Sequence, residues 1–120
     1  MTAIKSLEQI RAQHAWDFIE KNQNIIEKIA PIVRKLPAMI MTSGLGQTVA
    51  FCLSKSDYKR VIDDIANYLS KNTGVEGITC GSDLLNKIMN SNHETYIMLS
   101  QETLKYTTWL KRLIEAKLEE

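Results

Sequence analysis

Apolar side chains recur every three to four residues along almost the whole chain, the spacing of helices that each bury one stripe. Ser6 followed by Gln9 reads as a capping box, in which each side chain accepts a free backbone N–H at a helix entrance. Leu7, Ile10, His14 and Phe18 then share a stripe, widened by Ala12, Ala15, Trp16 and Ile19. Ile25, Ile26, Ile29, Ile32, Val33 and Leu36 continue the rhythm. Pro31 is expected to kink or restart this run, because proline lacks the N–H and clashes one turn back. Pro37 is expected to mark a further boundary, since proline suits the first turn of a helix.

From Pro37 the pattern predicts a short helix over 37–43 that closes at Gly44, then a second over about 45–55. Gly46 is expected to let that second helix approach a neighbouring backbone closely. Ser56 or Asp57 caps the next helix, with Tyr58, Val61, Ile62, Ile65 and Leu69 as its core stripe. Residues 72–81 carry three glycines and no periodicity, which predicts a loop, with a short strand at 75–79 as the alternative. Ser82 or Asp83 caps a short helix bearing Leu84, Leu85, Ile88 and Met89. Ser91 with Glu94 forms a second capping box, launching a helix whose stripe is Tyr96, Leu99, Thr103, Tyr106, Leu110 and Leu113. The expectation is an all-α bundle of about six or seven helices forming a single domain over 1–120, with a Gly-rich loop at 72–81.

Composition narrows the function less than the fold. The 120 residues are 44% hydrophobic and 24% charged, with a net charge of +1. That excludes a strongly basic nucleic-acid tail and an acidic disordered segment. Cys52 and Cys80 are too few for a disulfide scaffold and fit a reduced, cytoplasmic setting. The first nine residues lack the apolar run of a signal peptide, and the apolar-leaning stretch 37–53 is too short and polar to span a bilayer.

The charge is unevenly placed. Between 28 and 60, Lys28, Arg34, Lys35, Lys55, Lys59 and Arg60 face Asp57 alone, a local +5. Between 61 and 102, Asp63, Asp64, Glu76, Asp83, Glu94 and Glu102 face Lys71 and Lys87, a local −4. Such polarity attracts polyanions on one side or packs copies head to tail; the simpler alternative is a set of solvated helix faces. If 37–43 and 45–55 form an antiparallel hairpin, Lys55 returns toward Arg34 and Lys35, and Lys59 and Arg60 follow. Five cations at one end of a bundle would neutralise phosphates without reading bases. Lys105, Trp109 and Arg112 share another face, with Lys111 adjacent. A tryptophan between cations stacks on a base or, more commonly, packs on a neighbouring helix or partner.

Other chemistry finds little support. Cys52, Cys80, His14 and His93 are scattered, without the close spacing that grips a metal. His14 with Asp17, and His93 beside Glu94, are the histidine–carboxylate pairs in the local sequence; a helix-face contact explains the first, and the capping turn in which Glu94 accepts an N–H explains the second. The run Ser43-Gly-Leu-Gly-Gln-Thr lacks the lysine and preceding strand of a phosphate loop.

Three blocks together resemble the small α-helical subunit family of the type III-B CRISPR effector, the Cmr complex. The first is Leu36-Pro37-Ala38-Met39-Ile40, then Gly44-Leu45-Gly46-Gln47-Thr48-Val49-Ala50-Phe51, then Ser54-Lys55. It is similar to the family's L-P-x-(M/V)-(I/V), G-L-x-Q-(T/A)-(L/V)-A-F and S-K. The run Trp109-Leu-Lys-Arg-Leu-Ile-Glu-Ala resembles the closing W-(L/F)-K-R-(F/L)-x-E-A, and Arg11-Ala-Gln-His-Ala the opening R-A-x-x-A.

The resemblance implies a non-catalytic subunit, without cofactor, metal or small-molecule substrate. In the family, copies stack into an inner filament beside the crRNA-binding backbone, contact other Cmr subunits, and help hold target RNA against the guide. Lys55, Lys111 and Arg112 coincide with basic motif positions and become candidate RNA contacts. Arg34, Lys35, Lys59, Arg60 and Lys105 join them on the spacing arguments above. Trp109 is assigned to a partner contact, and Asp63 and Asp64 to an acidic partner surface. Two other classes remain: a stand-alone helical adaptor or dimerisation module, and a small hydrolase using His14 or His93 as base.

Overall fold

The structure, a computed structural model, describes residues 4–119. Six α-helices follow in order: α1 (Leu7–Lys21), α2 (Ile26–Ser43), α3 (Leu45–Leu53), α4 (Ser56–Asn72), α5 (Gly81–Asn90) and α6 (His93–Leu118), with one 3₁₀ turn at Gln23–Ile25. No strand occurs among the described residues, so 75–79 stays a loop. The all-α expectation is met.

The α1 start follows the sequence reading. The Ser6 N–H donates to Gln9 Oε1 at 2.8 Å and the Gln9 N–H to Ser6 Oγ at 3.2 Å. The buried face of α1 keeps the expected Ala15, Phe18 and Ile19 and adds Arg11, whereas Leu7 is exposed.

The largest departure is α2. It runs unbroken from Ile26 to Ser43 through both Pro31 and Pro37, so neither proline starts a new helix. An interior proline costs about 3 kcal/mol. Against that, α2 buries Ile29, Ala30, Ile32, Val33, Leu36 and Ile40. Burying each large one contributes about 1.5–3 kcal/mol, so the packed face outweighs two lost hydrogen bonds. This face lies mainly against α6, which also receives α1.

Three expected caps shift by one or more residues. Lys55 precedes α4, so Ser56 and Asp57 lie inside its first turn. Cys80 precedes α5, and Asp83 instead accepts from the Thr79 N–H at 3.1 Å and from the Thr79 hydroxyl. Those bonds hold the Asp83 carboxyl below its ordinary range. Asn92, not Ser91, caps α6, its Oδ1 accepting the Thr95 N–H at 2.8 Å.

Two glycines set the geometry. Gly44 joins α2 to α3 at φ +88° and ψ 159°, a region essentially reserved for glycine. Gly81 is the close-approach position: a Cβ there would meet Ile62 Cγ2 at 2.6 Å and Leu53 Cδ2 at 2.9 Å. Gly46 does not have the role expected of it, since its Cβ would meet only Ile88 Cγ2 at an ordinary 3.5 Å. The core joins all six helices and takes in Ile78 from the loop, fully buried. The whole measures 44 × 42 × 23 Å, a flat block.

Candidate nucleic-acid interface

The sharp turn at Gly44 folds α3 back along α2, as the hairpin reading requires. Lys35 and Lys55, distant in sequence, line one cavity of about 240 Å³ together with Ile32, Met39, Phe51 and Tyr58. Neither lysine is ion-paired among the described residues. The Lys55 ammonium stands 5.9 Å from the Phe51 ring centre. The rest of the expected five-cation cluster does not assemble there. Arg34 and Lys59 are exposed but do not line the cavity. Arg60 turns to the α1 end, where Nη1 donates to Asn22 Oδ1 at 3.2 Å.

A second surface lies between α1 and α6. Lys105, Trp109 and Arg112 line a groove of about 550 Å³ with Glu8, Arg11, Leu104 and Thr108. Leu104 and Trp109 give it an apolar floor, while Lys105 and Arg112 stand exposed at its edge. The nearest carboxylate to Arg112, Glu115, is 3.9 Å away, too far for a strong bond. Lys111, next to this face, does not line the groove.

Half of the acidic middle is engaged inside the chain rather than on its surface. Asp63 accepts the Gly81 N–H at 2.7 Å, tying α4 to the start of α5. Asp64 faces inward, with Oδ1 3.1 Å from His14 Nε2 and Oδ2 accepting the Tyr106 hydroxyl at 2.6 Å. Glu102 receives Arg11 through both oxygens, Nε at 2.7 Å and Nη2 at 2.9 Å, and the Tyr68 hydroxyl at 2.6 Å. Three of the six acids in 61–102 thus hold helices together. Asp63 and Asp64, expected on a partner surface, are half-buried and serve here as internal ties.

This internal network also takes in His14, whereas His93 is exposed at the start of α6. His14 pairs with Asp64 rather than Asp17, which accepts from Gln13 Nε2 instead. Its ring meets Tyr68 and Tyr106 edge-on at 5.4 and 5.5 Å, and those two rings stack 4.2 Å apart. Burial and the neighbouring carboxylates push both tyrosine hydroxyls well up, so they stay protonated donors. The Arg11 guanidinium, hydrogen-bonded to Glu102, holds that carboxyl below its ordinary range. Both carboxylates and both hydroxyls are partnered, which is the arrangement of a clamp between α1, α4 and α6. Cys52 is fully buried and its thiol is pushed up to about 11 by desolvation, which suppresses the reactive thiolate. No group of three His, Cys, Asp or Glu side chains could hold a metal among the described residues. No helix of the described residues is long and apolar enough to cross a membrane.

Sequence reasoning missed two features. It placed Tyr58 in the core stripe, yet Tyr58 borders the lysine cavity together with Phe51, which is 44% exposed. Their spacing from Lys55 held the signal, because Phe51 lies four residues before it and Tyr58 three after. It also missed the Arg11–Glu102 pair, since 91 residues separate the partners. Arg11 opens the R-A-x-x-A block, and the clamp explains that position.

Comparison with known proteins agrees with the resemblance in the three blocks. A crystal structure of a CRISPR-associated Cmr5 family protein from Thermus thermophilus shares the fold, with a TM-score of 0.81. The match covers 93% of this chain and 97% of that one at 24% identity. A family model described as CRISPR-associated protein (Cas_Cmr5) matches residues 7–117, nearly the whole chain. The chain therefore belongs to the Cmr5 family, the small subunit of the type III-B CRISPR Cmr complex.

Proposed function

We propose that this subunit is non-catalytic: it stacks with copies of itself as an inner filament beside the crRNA backbone and helps hold target RNA against the guide. One observation carries the RNA half of this reading. Lys35 and Lys55 line one cavity without ion-pair partners among the described residues, leaving two cations for phosphates. The flat shape and the α1–α6 groove support the scaffold half. Trp109 on an apolar floor suits a neighbouring subunit, with the Lys105 and Arg112 stems packed along the rim. With Asp63 and Asp64 turned inward, stacking rests on this groove more than on the acidic flank.

The test is target-RNA retention by the reconstituted complex across a salt titration. Lys35→Glu with Lys55→Glu is expected to weaken retention, most at low salt. If each lysine meets one phosphate of a single strand, the log–log salt slope becomes shallower by about 1.4. Unchanged retention and slope would overturn the RNA role of this cavity. Lys111→Glu with Arg112→Glu probes the closing motif in the same assay, with a shallower slope expected there too. An unaltered slope in that pair removes both residues from the RNA path.

A further inference from the structure

We propose that the cavity between α2, α3 and the start of α4 is a base slot, taking one unstacked nucleobase of the RNA strand onto the Phe51 ring. This rests on the RNA-holding reading and deepens it. Folding leaves Phe51 44% exposed although its helix buries Thr48, Val49 and Cys52 on either side of it in sequence. Its aromatic neighbour Tyr58 is 6.4 Å away and tilted by 39°, so no close stack occupies the ring as one does between Tyr68 and Tyr106. The Lys55 ammonium is near the outer limit of about 6 Å for a cation over a ring, free to exchange that contact for a phosphate.

The dimensions and charge select the occupant. At about 240 Å³ the cavity is smaller than a typical ligand pocket of roughly 300–1,000 Å³, and it suits one planar ring. Ile32 and Met39 supply an apolar, adaptable floor, while Lys35 and Lys55 are its only charged lining residues among the described residues. Two lysines lining the same cavity as an exposed ring match the two phosphates that flank a base. Stacking of this kind tolerates any base, as a subunit serving many guides requires.

The experiment uses the complete guide-loaded complex and target RNA carrying 5-iodouridine at successive positions, which cross-links to stacked aromatic rings on irradiation. A cross-link to the peptide holding Phe51 and Tyr58 is expected, lost in Phe51→Leu, which keeps apolar volume but removes the π face. Retention of target RNA should fall about fivefold or more in that variant. If the Lys35→Glu, Lys55→Glu pair loses retention while Phe51→Leu does not and no cross-link forms, the slot is overturned and the RNA reading survives. If neither variant changes retention and no cross-link forms, both fall. If Phe51→Leu instead releases the chain from the complex, a protein partner covers the cavity and the slot is wrong.

Discussion

Glu102→Ala is expected to destabilise the subunit by about 3–5 kcal/mol, because it strands a cation rather than merely deleting a contact. Arg11 and Glu102 have side chains only 11% and 12% exposed, and the pair is bidentate. Without the carboxylate, the guanidinium and the Tyr68 hydroxyl both lose their partner in a largely buried setting at the edge of the α1–α6 groove. A domain of this size has about 6–18 kcal/mol of total stability on the usual per-residue scale, so the loss is a large fraction. Urea unfolding should show a midpoint lower by about 1–3 M with an unchanged slope. A shift under about 0.3 M would mean the clamp contributes little.

The same carboxylate predicts a pH dependence. Its hydrogen bonds from Arg11, and next from Tyr68, lower its titration in the folded state. A depressed carboxylate adds stability that is complete above its unfolded value, about 4.3, and disappears as pH falls through the folded value. Glu102→Gln keeps the volume and one of the two acceptor oxygens but cannot titrate. Its stability should therefore fall less steeply than the parent's between about pH 4 and the acid transition. Parallel acid profiles for the two proteins would contradict the assignment.

Gly44→Ala is the second large effect, and it separates the two glycines of the Gly-Leu-Gly run. Gly44 sits at φ +88° and ψ 159°, where any side chain costs about 1–3 kcal/mol. A Cβ would also stand 3.3 Å from the Tyr96 hydroxyl. Both helices use this residue: its N–H donates to Ile40 O at 3.1 Å, and its carbonyl accepts the Thr48 N–H at 3.2 Å and hydroxyl at 2.8 Å. A chain that relieves the strain must reset the angle between α2 and α3, which separates Lys35 from Lys55. Thermal unfolding should drop by roughly 5–15 °C, by the usual scaling for a domain near this size, and RNA retention should weaken even well below the transition. Gly46→Ala is the control. Its backbone is helical and its Cβ meets only ordinary contact, so stability should hold or rise by up to about 1 kcal/mol. Equal effects at both positions would dismiss the backbone explanation.

Local pattern recovered much of this molecule. The Ser6–Gln9 box, the Gly44 break, the 72–81 loop and the long last helix all depend on residues within a turn or two of one another. Caps failed by a residue where several polar side chains competed, as with Ser91 and Asn92 ahead of α6. The candidate site was half legible. The hairpin reading brought Lys55 back to Lys35, but it also gathered Arg34, Lys59 and Arg60, whose exposed side chains leave the cavity.

Helical content, the order of the elements and the family motifs were therefore inherent in the chain itself, because each follows from short-range periodicity or from residue identity. Three-dimensional packing alone decided that α2 would absorb two prolines, since only the buried face against α6 outweighs their cost. It alone turned Asp63, Asp64 and Glu102 from surface charge into internal ties. Ion pairs and hydrogen bonds between residues 34 to 91 positions apart leave no periodic trace, and burial, which decides whether a charge faces water or a partner, is set by the assembled fold.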